Sequence, residues 1–212
     1  LTYRCPTKLG NMASVPSELG VERSVLTWLD CIGWETHGQN GDWGANVLDE
    51  SYERDSHEVI YWKLLAEQVV ALNKAVTEDN VHKFVSSLRR ELDVENLMDG
   101  NRGFYQVLSK GKSFTVQRDD GSTDTIYVDI LDFDNPEKNR FHAVNQFSVS
   151  RETTIRPDVN LLVNGIPLVT MELKSQAQDN DWHDAVRDLQ NYEEGVPRLF
   201  VPGLFNIAAD TF

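Results

Sequence analysis

Two apolar segments joined by Asn164-Gly165 constrain the fold of this chain more than any other feature. The segments run from Thr154 to Val163 and from Pro167 to Lys174, and both are rich in valine and leucine and short enough to be strands. Asn-Gly is the typical dipeptide of a tight hairpin turn. The pattern therefore predicts two neighbouring antiparallel strands.

The register of this hairpin is constrained by its apolar and its charged residues together. If Asp158 lies directly opposite Glu172, the apolar side chains share one face, namely Val159, Leu161, Val163, Val169, Met171 and Leu173. The other face then carries Asp158, Asn160, Glu172 and Lys174. A plain two-residue turn shifts the pairing by one residue and separates the two acids. We therefore predict a three-residue loop or a bulge at the turn, with Gly165 at positive φ.

Asp158, Glu172 and Lys174 together have the chemistry of a metal-dependent phosphodiesterase site. The two carboxylates and the backbone carbonyl of Leu173 are hard oxygen ligands that suit Mg²⁺. Lys174 would lie beside the attacking water, where an ammonium favours hydroxide and balances the charge that builds on the phosphorane. Charged residues near strand ends are also commonly solvated and without a function, so the residue types alone leave both interpretations open.

Helical periodicity dominates the first half of the chain and strand-like patterns the second. The predicted helices cover residues 17–32 before Gly33, 57–73 and 77–91, with a loop over 36–55 and an end of the helical part at 99–101. The remaining predicted elements are strands at 114–117, 124–131, 141–149 and 199–201, a turn at 119–122 and a helix over 181–194. This order predicts an α/β (α+β) fold in which helices flank a mixed central β-sheet.

The length of 212 residues, with 40% hydrophobic and 25% charged residues, suits one large globular domain. We expect that domain to span residues 12–212. Residues 1–11 show no periodicity and are interpreted as a leader or a fusion scar, disordered and outside the fold.

The chain is strongly acidic, with 34 Asp and Glu against 20 Lys and Arg and a formal charge of −14. Proteins that bind DNA phosphates by themselves carry basic surface patches, so this balance disfavours a free-standing DNA binder. If the chain contacts DNA, other domains are expected to hold the DNA there. A general adaptation to a high-salt cytoplasm is the alternative explanation of the acidity.

Two cysteines, Cys5 and Cys31, are too few for a disulfide framework or a four-cysteine zinc site. No apolar run approaches the roughly 18 residues of a membrane helix, and the first residues lack the apolar block of a secretory signal. We therefore expect a cytoplasmic protein that has no membrane partner.

Several motifs, in order along the chain, resemble the N-terminal nuclease region of HsdR, the restriction and motor subunit of type I restriction-modification enzymes. The motifs are Phe133-Asp134-Asn135-Pro136, Asn139-Arg140-Phe141, Val144-Asn145-Gln146-Phe147, Arg156-Pro157-Asp158, Val163-Asn164-Gly165 and Glu172-Leu173-Lys174. The likeness continues upstream to Ser17-Glu18 and downstream to Val196-Pro197-Arg198. It covers essentially residues 14–212.

The resemblance implies a restriction-endonuclease-like PD-(D/E)xK fold, a Mg²⁺ cofactor and cleavage of double-stranded DNA after ATP-driven translocation. In that family Asp158, Glu172 and Lys174 would be the catalytic set, and methyltransferase and specificity subunits would be partners. An acid on the first helix can support the metal in such folds. Glu22 is our choice and Glu18 the second, with a surface or capping role as the alternative for both.

ATP is expected to bind only elsewhere in a full-length subunit. Lys110-Gly-Lys-Ser113 matches the end of a phosphate-binding loop, but Gln106 stands where the first glycine is required. No ATP site is therefore predicted in this chain.

The sequence departs from the family pattern on the helix that follows Lys174. The family carries Gln-x-x-x-Tyr there, whereas this chain has Asp188 and Tyr192. A carboxylate at position 188 could join the metal shell or repel DNA phosphate. Tyr192 is retained as a supporting residue, with a core tyrosine as the alternative.

Two other functions remain open at this stage. One is a docking module of the restriction complex that retains the fold but no longer catalyses a reaction. Asp188, in place of the family glutamine, would indicate this loss of activity. The other is a stand-alone structure-specific nuclease such as a junction resolvase, which normally carries more basic surface.

Overall fold

The computed structural model describes residues 17–36, 45–117, 121–176 and 180–210. The helices are α1 (Glu18–Cys31), α2 (Ala45–Tyr52), α3 (Trp62–Leu72), α4 (Glu78–Arg89), α5 (Leu97–Lys110) and α6 (Trp182–Gly195). The strands are β1 (Glu35–Thr36), β2 (Lys112–Gln117), β3 (Thr123–Val128), β4 (Phe141–Asn145), β5 (Val149–Ser150), β6 (Thr154–Ile155), β7 (Val159–Val163), β8 (Ile166–Leu173) and β9 (Phe205–Ala209). The leader proposed for residues 1–11 lies outside the described residues.

A five-stranded mixed sheet with the order β1-β4-β7-β8-β9 forms the centre of the molecule. The three middle strands β4, β7 and β8 pair with one another in antiparallel orientation, while the edge strands β1 and β9 pair in parallel with β4 and β8. Helices flank this sheet, and β2–β3 and β5–β6 form two separate ribbons. The predicted fold class, a mixed central sheet flanked by helices, is confirmed.

The β7–β8 hairpin has the register that the apolar pattern predicts, with Val159 opposite Met171 and Leu161 opposite Val169. Near the turn Val163 pairs with Ile166, as a plain two-residue turn requires, and the register then shifts by one residue between Leu161 and Leu162. The predicted bulge is therefore confirmed, although it lies along the strand instead of at the turn. Gly165 has the predicted positive φ, 83°, and Asn164 has a φ of 52°.

Both faces of this hairpin are covered, which the alternation of apolar and polar residues did not predict. Every residue of β8 is buried, and so are all residues of β7 except Leu161. Helices α1 and α6 both contact β8. Polar groups on the hairpin must therefore find partners inside the protein, as Asn160 does by donating to the Thr170 hydroxyl at 2.9 Å.

Several sequence predictions of local structure are wrong. Residues 99–101 do not end the helical part, because they lie in the first turns of α5, where Asn96 caps the helix and Gly100 permits close packing on Val94. Residues 199–201 are not a strand: Pro197 starts a 3-10 turn over Pro197–Leu199, and β9 follows instead at Phe205–Ala209.

The other errors concern a predicted loop, two predicted strands and the start of a helix. The region predicted as a loop over 36–55 contains α2, and the long strands predicted at 141–149 and 154–163 are interrupted after Asn145 and Ile155. The helix predicted from residue 57 begins at Trp62. The β2–β3 hairpin is present, while residues 118–120 of its turn lie outside the described residues. No helix within the described ranges is long and apolar enough to cross a membrane.

Candidate active site

Four elements bring polar side chains together at the end of the β7–β8 hairpin that is remote from its turn. Asp158 immediately precedes β7, and Glu172 and Leu173 end β8, just before Lys174. Because the two strands are antiparallel, the start of one lies beside the end of the other. Helices α1 and α6 supply further acids from either end of the chain.

Asp158 is fixed by the backbone of the neighbouring strand. Its Oδ2 accepts a hydrogen bond from the Leu173 N–H at 2.7 Å. Burial raises the pKa of Asp158 to about 6, the Leu173 hydrogen bond opposes this rise, and the charge of Glu22 adds to it. The carboxyl is therefore held in one orientation, at a cost that a nearby cation would remove.

Glu172 is the most deeply buried acid of the hairpin, with 4% of the residue exposed. Its Oε1 accepts from Lys174 Nζ at 2.9 Å, whereas its buried Oε2 has no hydrogen-bond partner among the described residues. Burial, and then the charge of Asp158, raises the pKa of Glu172 to about 7. A buried carboxylate oxygen without a donor is a position where a cation would be stabilising.

Lys174 lies between two carboxylates. Its Nζ is 2.9 Å from Glu172 Oε1 and 2.6 Å from Asp188 Oδ2. Burial by itself would lower the pKa of Lys174, but the hydrogen bonds to Asp188 and Glu172 outweigh it and raise that pKa well above its usual range. Lys174 is therefore an ammonium, and Asp188 engages it directly.

Glu22 on α1 is 4% exposed and is held by two amide side chains. Asn145 Nδ2 donates to its Oε2 at 3.1 Å, and Gln146 Nε2 donates to its Oε1 at 2.9 Å. The amide of Gln146 also lies 3.4 Å from Asp158 Oδ1, which links Glu22 to the strand acids. Glu18, the second choice, lies one turn earlier and accepts a hydrogen bond from Asn180 at 3.5 Å.

Asn145 and Gln146 were not predicted from the sequence as site residues. They follow one another at the end of β4, in one of the runs that carried the family resemblance. A pair of amides after a buried strand was the available signal. It was insufficient because only the packing of α1 on the sheet brings Glu22 to them.

Tyr192 on α6 contributes to the packing of the protein, and its supporting role at the site stays a prediction. It is half-buried and packs against the main apolar cluster. Burial, followed by the charges of Glu172, Asp188 and Asp158, raises the pKa of its phenol above the usual range. The phenol is therefore expected to remain protonated at neutral pH.

The donor set fits a hard divalent cation that keeps part of its water shell. No three acidic, histidine or cysteine side chains form a ready metal cage in the part of the chain that the structure describes. The available ligands are instead the carboxylates of Asp158 and Glu172 and the Leu173 carbonyl. Two carboxylates with several retained waters is the arrangement that Mg²⁺ prefers. Burial raises the pKa of both acids and leaves Glu172 Oε2 without a donor among the described residues, so a bound cation would be stabilising here.

Comparison with known proteins gives a consistent family. Residues 16–212 match the family described as "Type I restriction enzyme R protein N terminus". The chain is 31% identical to the type I restriction enzyme HindI endonuclease subunit of Haemophilus influenzae over 190 residues, which are 87% of this chain and 17% of that protein. It is 37% identical over 163 residues to the SauCOLORF180P endonuclease subunit of Staphylococcus aureus, covering 77% of this chain and 15% of the relative.

An archaeal relative shows the same coverage. The putative type I restriction enzyme MjaVIIIP endonuclease subunit of Methanocaldococcus jannaschii is 25% identical over 196 residues, 90% of this chain and 17% of the relative. The chain thus spans about a sixth of the length of the curated relatives it matches.

Proposed function

This chain belongs to the family of type I restriction enzyme R protein N-terminal regions, and we propose that it is the endonuclease domain of such a subunit. The proposed reaction is the Mg²⁺-dependent hydrolysis of phosphodiester bonds in double-stranded DNA. The observation that carries the proposal is the convergence of Asp158, Glu172 and Lys174, with a buried Glu172 oxygen that lacks a donor among the described residues.

The residues of the site would divide the chemistry among them. Asp158, Glu172 and the Leu173 carbonyl would hold Mg²⁺, which when bound supplies a Lewis acid for the scissile phosphate and lowers the pKa of a coordinated water. The Leu173 N–H keeps Asp158 Oδ2 in place and leaves Oδ1 toward the site. The ammonium of Lys174 would favour the attacking hydroxide and offset negative charge as it builds on the phosphorus.

The negative charge of the site means that the reaction requires other parts of the enzyme to hold the DNA. Glu172 and Asp188 flank Lys174, Gln146 links Asp158 to Glu22, and the whole chain carries a formal charge of −14. A DNA phosphate would be repelled by this surface unless other parts of a longer subunit or its partners hold the duplex. We therefore propose that DNA is delivered by an ATP-driven motor elsewhere in the subunit, and that methyltransferase and specificity subunits complete the complex.

One observation favours the docking alternative. Asp188 stands where the family has glutamine, and it occupies one side of the Lys174 ammonium at 2.6 Å. A lysine held between two carboxylates has to release one of them before it can face a phosphate. The alternative is therefore that the chain retains the fold but serves as an inactive docking module.

Nicking of supercoiled plasmid in Mg²⁺ distinguishes the two functions. We expect Lys174→Ala to lower the nicking rate at least about 100-fold, which is the order of effect seen when one preorganised stabilising group is removed. Lys138→Ala is the matched control, because Lys138 is also paired with a carboxylate, Asp132, but lies outside the site. Equal nicking by the wild-type chain and Lys174→Ala, with or without a chelator, would support docking and contradict the proposal.

A further inference from the structure

Gln146 has an unusual backbone conformation for its residue type. It directly follows β4 and has a φ of 55°, in the left-handed region that residues with a side chain rarely adopt. Its backbone N–H donates to the Asp158 carbonyl at 2.9 Å and so extends the β4–β7 pairing by one residue. Left-handed residues that are not glycine persist where the surroundings enforce them, and they concentrate at functional sites.

The left-handed turn has a direct geometric consequence for the site. Successive side chains of an extended strand point to opposite faces, so two neighbours cannot normally reach the same group. Here Asn145 and Gln146 are consecutive, yet each donates to a different oxygen of Glu22, at 3.1 and 2.9 Å. The change of backbone direction at Gln146 ends the alternation and brings both amides to one carboxylate.

The chemistry of these contacts is unambiguous. An ionised carboxylate only accepts hydrogen bonds, so the amide nitrogen of Gln146 faces both Glu22 Oε1 and Asp158 Oδ1. Two like charges next to one another repel, and Glu22 contributes to the raised pKa of Asp158. One amide that donates to both acids keeps them side by side despite this repulsion.

We propose that Gln146 is a positioning residue of the metal site, whose amide holds Glu22 and Asp158 together and thereby orients Asp158 toward the divalent ion. This inference rests on the proposed function, since it assigns Gln146 a role at the same site. Gln146 acts through Asp158 and is not itself a ligand. Its left-handed backbone then serves the geometry of the acids and not the stability of the fold.

Substitution by glycine separates these two roles. Glycine adopts a φ of 55° without strain, so Gln146→Gly preserves the backbone and removes only the amide. Relief of the strained φ opposes the loss of the amide's hydrogen bonds to Glu22 and Asp158, so we expect this variant to melt close to the temperature of the wild-type chain. We also expect its affinity for Mn²⁺, measured by electron paramagnetic resonance as a probe of the metal site, to fall about 10-fold or more, as is usual when a group that orients a metal ligand is lost.

Glu53→Gly is the matched control. Glu53 has almost the same φ, 53°, but is exposed and pairs with Lys63 away from the site. It should resemble Gln146→Gly in melting temperature and the wild-type chain in Mn²⁺ affinity.

Asp158→Asn identifies the Mn²⁺ site and separates failure of the inference from failure of the proposed function. If Asp158→Asn binds Mn²⁺ as tightly as the wild-type chain, the proposed metal site itself is wrong. If Asp158→Asn loses Mn²⁺ while Gln146→Gly retains it, the positioning role alone is overturned. A lower melting temperature of Gln146→Gly together with lost Mn²⁺ binding also overturns it, because Gln146 would then serve the fold.

Discussion

Asp188 shows how one side chain changes the balance of charge around Lys174. The two groups lie 2.6 Å apart, and Glu172 occupies another side of the same ammonium. From its residue type alone, Asp188 could be a metal ligand or a group that repels phosphate. The structure places it on the lysine, so its charge is partly compensated while the site is at rest.

Asp188→Gln restores the residue type of the family and keeps an oxygen that can accept from Lys174. Because one negative charge is removed next to the phosphate path, we expect DNA to bind about fivefold more tightly, as follows from roughly 1 kcal/mol for two unit charges about 4 Å apart in water. Fluorescence anisotropy with a labelled duplex measures this. Glu194→Gln, an equal charge change at an exposed position of the same helix, is the control. Equal gains in both variants would show that only net charge matters.

At the scale of elements, the turn of the β7–β8 hairpin makes tertiary contacts with the segment that precedes β4. Asn164 is fully buried, and its side chain donates to the Ile130 carbonyl at 2.8 Å and to Asn139 Oδ1 at 2.9 Å. Its own Oδ1 accepts from the Arg140 N–H at 2.8 Å. At Gly165, a Cβ would lie 2.9 Å from the Tyr61 carbonyl. The Asn-Gly pair is therefore required for packing as well as for the turn.

Asn164→Ala should destabilise the chain by about 3 kcal/mol. It leaves a buried carbonyl and a buried N–H without partners, at about 1–3 kcal/mol each, and it places alanine at positive φ. Urea unfolding followed by circular dichroism measures the change in the free energy of unfolding. Asn206→Ala, which removes an exposed hydrogen bond to Glu193, should cost about 0.5 kcal/mol or less. A cost below about 1 kcal/mol for Asn164→Ala would show that these contacts contribute little.

At the scale of the whole molecule, the site should make stability depend on pH. The pKa values of Asp158 and Glu172 are raised to about 6 and about 7, from ordinary values of 3.8 and 4.5. Between these limits the folded chain binds more protons than the unfolded chain, so the free energy of unfolding falls as pH rises from about 4 to about 7. This loss is complete once both carboxyls are ionised in the folded state.

The metal-free chain should therefore melt at a lower temperature at pH 8 than at pH 5.5, by roughly 2–4 °C for each kcal/mol involved. Mg²⁺ at pH 8 should restore part of the difference, because it binds the ionised carboxylates of the folded state. The double variant Asp158→Asn with Glu172→Gln should show a smaller difference and no Mg²⁺ effect. Differential scanning fluorimetry measures these melting temperatures. An identical pH dependence in the wild-type chain and the double variant would show that Asp158 and Glu172 are not its cause.

Local patterns predicted the parts of the fold that depend on neighbouring residues. The stripe of α1 and the parity of β7 against β8 could be read from spacing, because the periods of helices and strands are local properties. The same reasoning failed at residues 99–101 and 199–201. Gly100 is required by close packing on Val94 just before the helix, and Leu199 to Val201 are buried in the main apolar cluster, so neither stretch follows the local pattern that was read there.

The amino-acid sequence by itself determined which residues of one hairpin form the proposed site, since Asp158, Glu172 and Lys174 are brought together by two adjacent strands. Only the tertiary structure decided what surrounds them. Glu22 is separated from Asn145 by 123 positions along the chain, and it reaches the site because α1 packs on the sheet. Gln146 faces both acids because its backbone turns left-handed where β4 ends. These contacts between residues from different elements depend on how the elements pack, and the spacing of residues within one element does not record them.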